Sequence, residues 1–264
     1  MIDSQGLPKA QMGRRRSNLN EALSAKTIQI KGHGGDEIEA YLAKPETDHP
    51  FGSVVVIHHM PGYDAATKEI ARRFAAHGYA AICPNLYSRE APGADPDDAA
   101  ATARAKGGVP DERLVGDVAG TAANLRALPG SNQKVAVIGY CSGGRQSFLA
   151  AISLKLDAAV VCYGAFIVGT PPEASPLKVT PLLDRAKDLS CPLLGLFGAE
   201  DSHPSPEQTA ELEAELKRLG KQFDFHTFEN AGHGFFATDR PSYRPEAAGE
   251  GWALIWDFFG KNLQ

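Results

Sequence analysis

Three residues have the types and the chain order needed for nucleophilic acyl chemistry: Cys141, Asp201 and His233. A thiolate attacks a carbonyl carbon, an imidazole moves the proton, and a carboxylate orients that imidazole. Cys141 lies in Gly139-Tyr140-Cys141-Ser142-Gly143-Gly144, directly after the apolar run Val135-Ala136-Val137-Ile138. Residues 145–155 follow and read as a helix. A strand, a sharp Gly-x-Cys-x-Gly turn and a helix put a nucleophile on strained backbone, and its neighbours two positions away must lack a Cβ. Asp201 closes the turn Gly198-Ala199-Glu200-Asp201 after the strand-like 193–197, and Glu200 reads as a solvated turn residue. His233 stands in Ala231-Gly232-His233-Gly234-Phe235, after the last strand-like run.

A tetrahedral intermediate also needs two N–H donors for its oxyanion. The N–H of Ser142, immediately after the nucleophile, supplies one. The second is expected from the loop His58-His59-Met60-Pro61-Gly62, after the apolar strand 54–57. Met60 is the best donor there, because Pro61 has no N–H. The other His residues lack a comparable context and read as structural or solvated.

Buried β runs alternate with helical segments. Residues 27–31 and 38–43 alternate apolar and polar types around Gly32-His33-Gly34-Gly35-Asp36, which predicts an antiparallel hairpin. Strands follow at 53–57, 80–83, 135–138, 158–162, 193–197 and 223–228, with helices at 69–77, 114–127, 205–219 and around 252–259. This order specifies an α/β fold: a doubly wound, mostly parallel sheet with an N-terminal hairpin and flanking helices. The division expected is an arm over residues 1–26, with a capping box at Asn18 and Glu21, and one domain over 27–264. Residues 91–113 read as a long loop with a short helix. Residues 166–190 carry repeated Pro and Ser and read as a partial lid at the end of the sheet where active sites lie.

Composition bounds the function. The 264 residues suffice for one α/β domain with a substantial core, and 27 basic against 32 acidic residues give a net charge of −5, which argues against nucleic acid as the main partner. Cys83, Cys141, Cys162 and Cys191 show no CxxC or Cys/His metal spacing, so no metal and no disulfide framework is expected. A reducing, cytoplasmic setting is the default. Arg14-Arg15-Arg16 is followed by polar residues, so no signal peptide or membrane partner is expected. Phe235, Phe236, Trp252 and Trp256 leave a homo-oligomer interface open beside their reading as core residues.

The chain resembles the dienelactone hydrolase family of α/β-hydrolases. The resemblance is carried by the Cys141 elbow, by Gly78-Tyr79-Ala80-Ala81-Ile82-Cys83-Pro84-Asn85-Leu86-Tyr87, and by Ala231-Gly232-His233-Gly234-Phe235. It implies the α/β-hydrolase fold and cleavage of a small-molecule lactone or activated ester through a Cys141 acyl-enzyme, with no cofactor. Two positions depart from the family pattern. His59 stands where a Glu is expected beside the resting Cys, and could contact Cys141 or a substrate oxygen. Arg89 matches one of two carboxylate-binding arginines, and the second has no match in register. Tyr140 and Arg145 are further candidate substrate contacts, Arg145 reading equally well as a packing or ion-pair residue. Two other readings stay open: a thiol-dependent acyltransferase using acyl-CoA, and a non-catalytic binding protein on the same scaffold.

Overall fold

The computed structural model describes residues 22–264. The expected cap at Asn18 and Glu21 and most of the expected arm lie outside the described residues. The first strand begins at Leu23, so the alternation seen from Thr27 extends upstream into residues expected as arm.

Eight strands form one sheet: β1 (Leu23–Lys31), β2 (Glu37–Pro45), β3 (Phe51–Ile57), β4 (Ala80–Pro84), β5 (Ser131–Tyr140), β6 (Ala158–Cys162), β7 (Leu193–Gly198) and β8 (Phe223–Phe228). Their spatial order is β1-β2-β4-β3-β5-β6-β7-β8. The hairpin β1–β2 is antiparallel and joins β4 antiparallel, whereas every pairing from β4 through β3 and β5 to β8 is parallel. Residues 51–57, 80–84, 158–162 and 193–198 are buried throughout, because helices cover both faces of the parallel part. Their continuous apolar sequence follows from that double burial.

Among the described residues, six α-helices flank the sheet: α1 (Ala65–Ala76), α2 (Pro96–Ala105), α3 (Asp111–Arg126), α4 (Ser142–Ala151), α5 (Pro206–Arg218) and α6 (Pro245–Leu263). Two separate apolar cores result. One holds Val118 and Leu125 of α3, Phe148 of α4 and Leu212 and Leu216 of α5. The other holds Phe74 of α1 with Trp252, Ile255 and Phe259 of α6. Phe235, Phe236 and Trp252 are buried in this second core, which accounts for their apolar character without an interface.

Local chemistry sets the helix ends. Asp64 caps α1 by accepting from the Thr67 N–H. Ser205 and Gln208 form a reciprocal capping box on α5, which stops at the left-handed Gly220. The elbow helix differs from expectation at both ends, running from Ser142 to Ala151 rather than over 145–155. It starts early because the Cys141 carbonyl already accepts from the N–H groups of Gly144 and Arg145. The C-terminal helix likewise begins at Pro245, ahead of the Trp252 start of its apolar stretch.

Candidate active site

The carboxyl ends of β3, β5, β7 and β8 deliver Met60, Cys141, Asp201 and His233 to one cleft. At the end of β5 the chain turns sharply, and Cys141 adopts φ 58° and ψ −121°, a conformation unfavourable for any residue with a Cβ. The neighbouring glycines show what enforces the turn. A Cβ at Gly139 would collide with the Gly143 carbonyl oxygen, and one at Gly144 would sit 2.7 Å from the Cys162 carbonyl oxygen. The Cys141 N–H donates to that Cys162 oxygen at 3.1 Å, locking the turn to β6.

Asp201 and His233 meet as the sequence order implied. The His233 Nδ1–H donates to Asp201 Oδ2 at 2.9 Å, and the Asp201 side chain is only 1% exposed. The other carboxylate oxygen, Oδ1, accepts from the His203 N–H at 2.8 Å. Glu200 is an exposed turn residue, and its N–H donates to the Ala231 oxygen at 2.9 Å, tying the acid turn to the His233 loop. The Tyr163 ring meets the His233 ring edge-on, with centroids 5.2 Å apart.

The His233 side chain and the N–H groups of Met60 and Ser142 are the groups that favour the Cys141 thiolate. The loop carrying Met60 is fixed by its surroundings. The Tyr87 hydroxyl donates to the Met60 carbonyl at 3.0 Å. The His58 Nδ1–H donates to the His59 carbonyl at 2.8 Å, and its Nε2 faces the Leu86 N–H. Burial pushes His58 down to about 4, so it works as a neutral structural imidazole.

Charge is distributed unevenly over the Cys141–His233 pair. Burial opposes the thiolate, but the hydrogen bond from His233, its charge and the two backbone N–H groups outweigh it and hold the Cys141 thiol below its ordinary value. Burial likewise opposes protonation of His233, yet hydrogen bonds to Asp201 and Cys141, with their charges, raise it to about 10. The pair is therefore biased toward thiolate and imidazolium. For any Cys141-dependent ester cleavage this sets the pH profile of kcat/KM. The rate should rise on the acid side of an ordinary thiol's titration and fall as His233 loses its proton near pH 10. A single rise through about pH 8.5, the titration of an ordinary thiol, would rule the pair out.

The remaining candidates lie elsewhere. His59 does not turn to Cys141; its Nε2 pairs with Asp64 Oδ2 at 2.6 Å. It lines a small recess with Arg73, Tyr140 and Trp252 on the α1–α6 side of the sheet. Burial opposes ionisation of Asp64, but the hydrogen bonds from His59 and the Thr67 N–H hold its carboxyl at about 2. Arg89 is placed away from the cleft, forking onto Asp117 with two bonds of 2.9 Å and reaching Asp36 at 2.8 Å. Tyr140 is buried in the second core and packs edge-on against Phe236. Arg145 borders the cleft but is 3% exposed, with bonds of 2.7 and 2.9 Å to Asp111 and 2.7 Å to the Thr180 carbonyl. It is the strut between α3, α4 and the segment expected as a lid.

Cys141, Asp201 and His233 open into a cleft of about 630 Å³. Its far wall is that lid segment, including Phe166, Pro172, Leu177 and Val179, and its rim carries Arg104 of α2. The lid is tied down by the Lys178 N–H on the Gly107 carbonyl and the Leu182 N–H on the Ile167 carbonyl. Tyr87, Phe166 and His203 also border the cleft, and nothing in their spacing marks them for it.

This geometry has known relatives. The family model described as "Dienelactone hydrolase family" matches residues 38–263. A protein of Escherichia coli (strain K12) named "Putative carboxymethylenebutenolidase" is 33% identical over 246 residues, covering 91% of this chain and 88% of that protein. The "Carboxymethylenebutenolidase" of Pseudomonas putida is 31% identical over 226 residues, covering 84% of this chain and 90% of its own length. Among solved structures, the "Putative Dienelactone Hydrolase" from Klebsiella pneumoniae superposes with a TM-score of 0.80 at 30% identity, covering 91% of this chain and 99% of that one. An eight-stranded sheet with the elbow at the end of β5, matched over nearly its whole length to these proteins, makes the chain a member of the dienelactone hydrolase family, hydrolases of ester and lactone bonds.

Proposed function

We propose that the chain hydrolyses lactones or activated esters through a thioester on Cys141. One observation carries this reading: Cys141, Asp201 and His233 border one cleft, and His233 is anchored on the buried carboxylate of Asp201. The thiolate attacks the carbonyl carbon, and the oxyanion that forms takes over the N–H groups of Met60 and Ser142. His233 Nε2–H protonates the departing oxygen as the C–O bond breaks, leaving a thioester and a neutral imidazole. The same Nε2 then takes a proton from water as its oxygen attacks the thioester. Collapse of the second intermediate expels the thiolate, and His233 again carries the proton that pairs with it.

Asp201 keeps the Nδ1–H tautomer in place, so Nε2 is the nitrogen that faces the reaction. A thiolate leaves a tetrahedral intermediate more readily than an amine does, so the cycle suits enol and aryl esters and not amides. Acid quench of the enzyme during turnover of an aryl acetate should yield an acetyl group on the peptide containing Cys141, released by neutral hydroxylamine. An acetylated Ser142 in its place, or a free Cys141 throughout a measured burst, would refute the mechanism.

A further inference from the structure

We propose that the acyl side of the cleft takes a neutral, extended apolar chain, so that this site selects medium-chain esters over substrates carrying a carboxylate. The proposal rests on the reading of Cys141 as nucleophile.

Size comes first. A cleft of about 630 Å³ is in the range that encloses a drug-sized ligand (roughly 300–1,000 Å³). An acetyl group or a small lactone ring leaves most of it unfilled. Much of its lining is apolar: Phe166, Pro172, Leu177 and Val179 from the segment expected as a lid, with Val109 and Tyr87. Burying a methylene against such a wall stabilises by about 0.8 kcal/mol.

Charge decides the rest. A carboxylate-bearing substrate needs a cation with accessible donors, and the two arginines nearest that role are already engaged; the Arg145 Nε has no partner but is itself buried. Arg145 spends both terminal nitrogens on the Asp111 carboxylate and the Thr180 carbonyl. Arg89 does not border the cleft and is forked onto Asp117, which is 0% exposed. A substrate anion would have to displace a carboxylate already seated in bidentate geometry. Arg104 borders the cleft without an ion-pair partner among the described residues, but it is exposed at the rim, where water screens its charge.

The test uses esters with a common leaving group, so only the acyl chain varies: p-nitrophenyl acetate, p-nitrophenyl hexanoate and mono-p-nitrophenyl adipate. For the wild-type enzyme, kcat/KM for hexanoate should exceed that for acetate and that for adipate by about tenfold or more each. Adipate cleaved as well as hexanoate overturns the proposal, and so does acetate cleaved as well as hexanoate. Leu177→Arg puts an unpaired cation on the wall and should lower the hexanoate-to-adipate ratio about tenfold. The ratio compares two substrates on one enzyme, so loss of folded protein does not move it, and an unchanged ratio also overturns the assignment. The nucleophile reading fails separately: if hexanoate turnover leaves no hexanoyl group on Cys141, that reading falls whatever the chain preference. A hexanoyl-Cys141 adduct together with a preference for adipate sinks this proposal alone.

Discussion

Replacing Cys141 by Ala should lower kcat/KM for an aryl ester by about 10⁴-fold or more, the scale seen when a catalytic nucleophile is removed. The reason is chemical. The Cys141→Ala change leaves the N–H groups of Met60 and Ser142 and the His233–Asp201 pair in place, but no atom remains to form the acyl intermediate. What survives is general-base attack by water beside an intact pair of oxyanion donors. Rapid iodoacetamide labelling should vanish in the same variant. Cys83, Cys162 and Cys191 are buried, and burial pushes all three thiols up, so they are poor nucleophiles. Turnover within tenfold of wild type, or labelling that persists, would take Cys141 out of the mechanism.

The second large effect is expected from Asp201→Asn, a loss of about 10⁴-fold in kcat, by analogy with the same change in a Ser-His-Asp enzyme. The amide keeps an oxygen for the His203 N–H that Oδ1 now accepts, so the turn should hold. Its NH₂ then faces His233 Nδ1 where a carboxylate oxygen stood. Nδ1 must accept, the ring proton moves to Nε2, and the nitrogen facing Cys141 no longer takes a proton from water. The carboxylate charge that helps raise His233 to about 10 is also lost, so the alkaline limb of any residual rate should move to lower pH. A variant that keeps wild-type kcat, or a lower kcat with an unmoved alkaline limb, would show that Asp201 does not serve His233.

The parts of this site that were legible in the sequence are those whose geometry is local. The elbow could be read because its demand for glycines at 139 and 143 is written within five residues. The Ser142 and Met60 N–H groups could be singled out as oxyanion donors because each follows closely on a strand end. The arginines were misleading for the opposite reason. Arg89 and Arg145 find their carboxylates 28 and 34 residues away in the chain, on α3, and no spacing rule connects them. His59 shows the same limit at shorter range. Its partner Asp64 is five residues on, but only because α1 begins there and needs a cap does that carboxylate turn back toward the loop. Helix α4 was read too late in the chain because its first turn contains two glycines, weak helix formers held helical here by the elbow.

The crowded backbone around the elbow also bears on how such an enzyme diversifies. A Cβ at Gly143 would lie 2.6 Å from the His58 carbonyl oxygen, and one at Gly139 or Gly144 would also press into main-chain atoms. Any methyl there must move main chain: the start of α4 for Gly139, the end of β3 for Gly143 and the end of β6 for Gly144. Exchanging sulfur for oxygen at position 141 moves nothing, since it alters one terminal atom in space the backbone has already set aside. Inheritance at this turn is therefore lopsided: the reacting element is free to change while its frame is frozen. New specificities are left to arise on the lid and α2, whose side chains border the cleft without holding the turn.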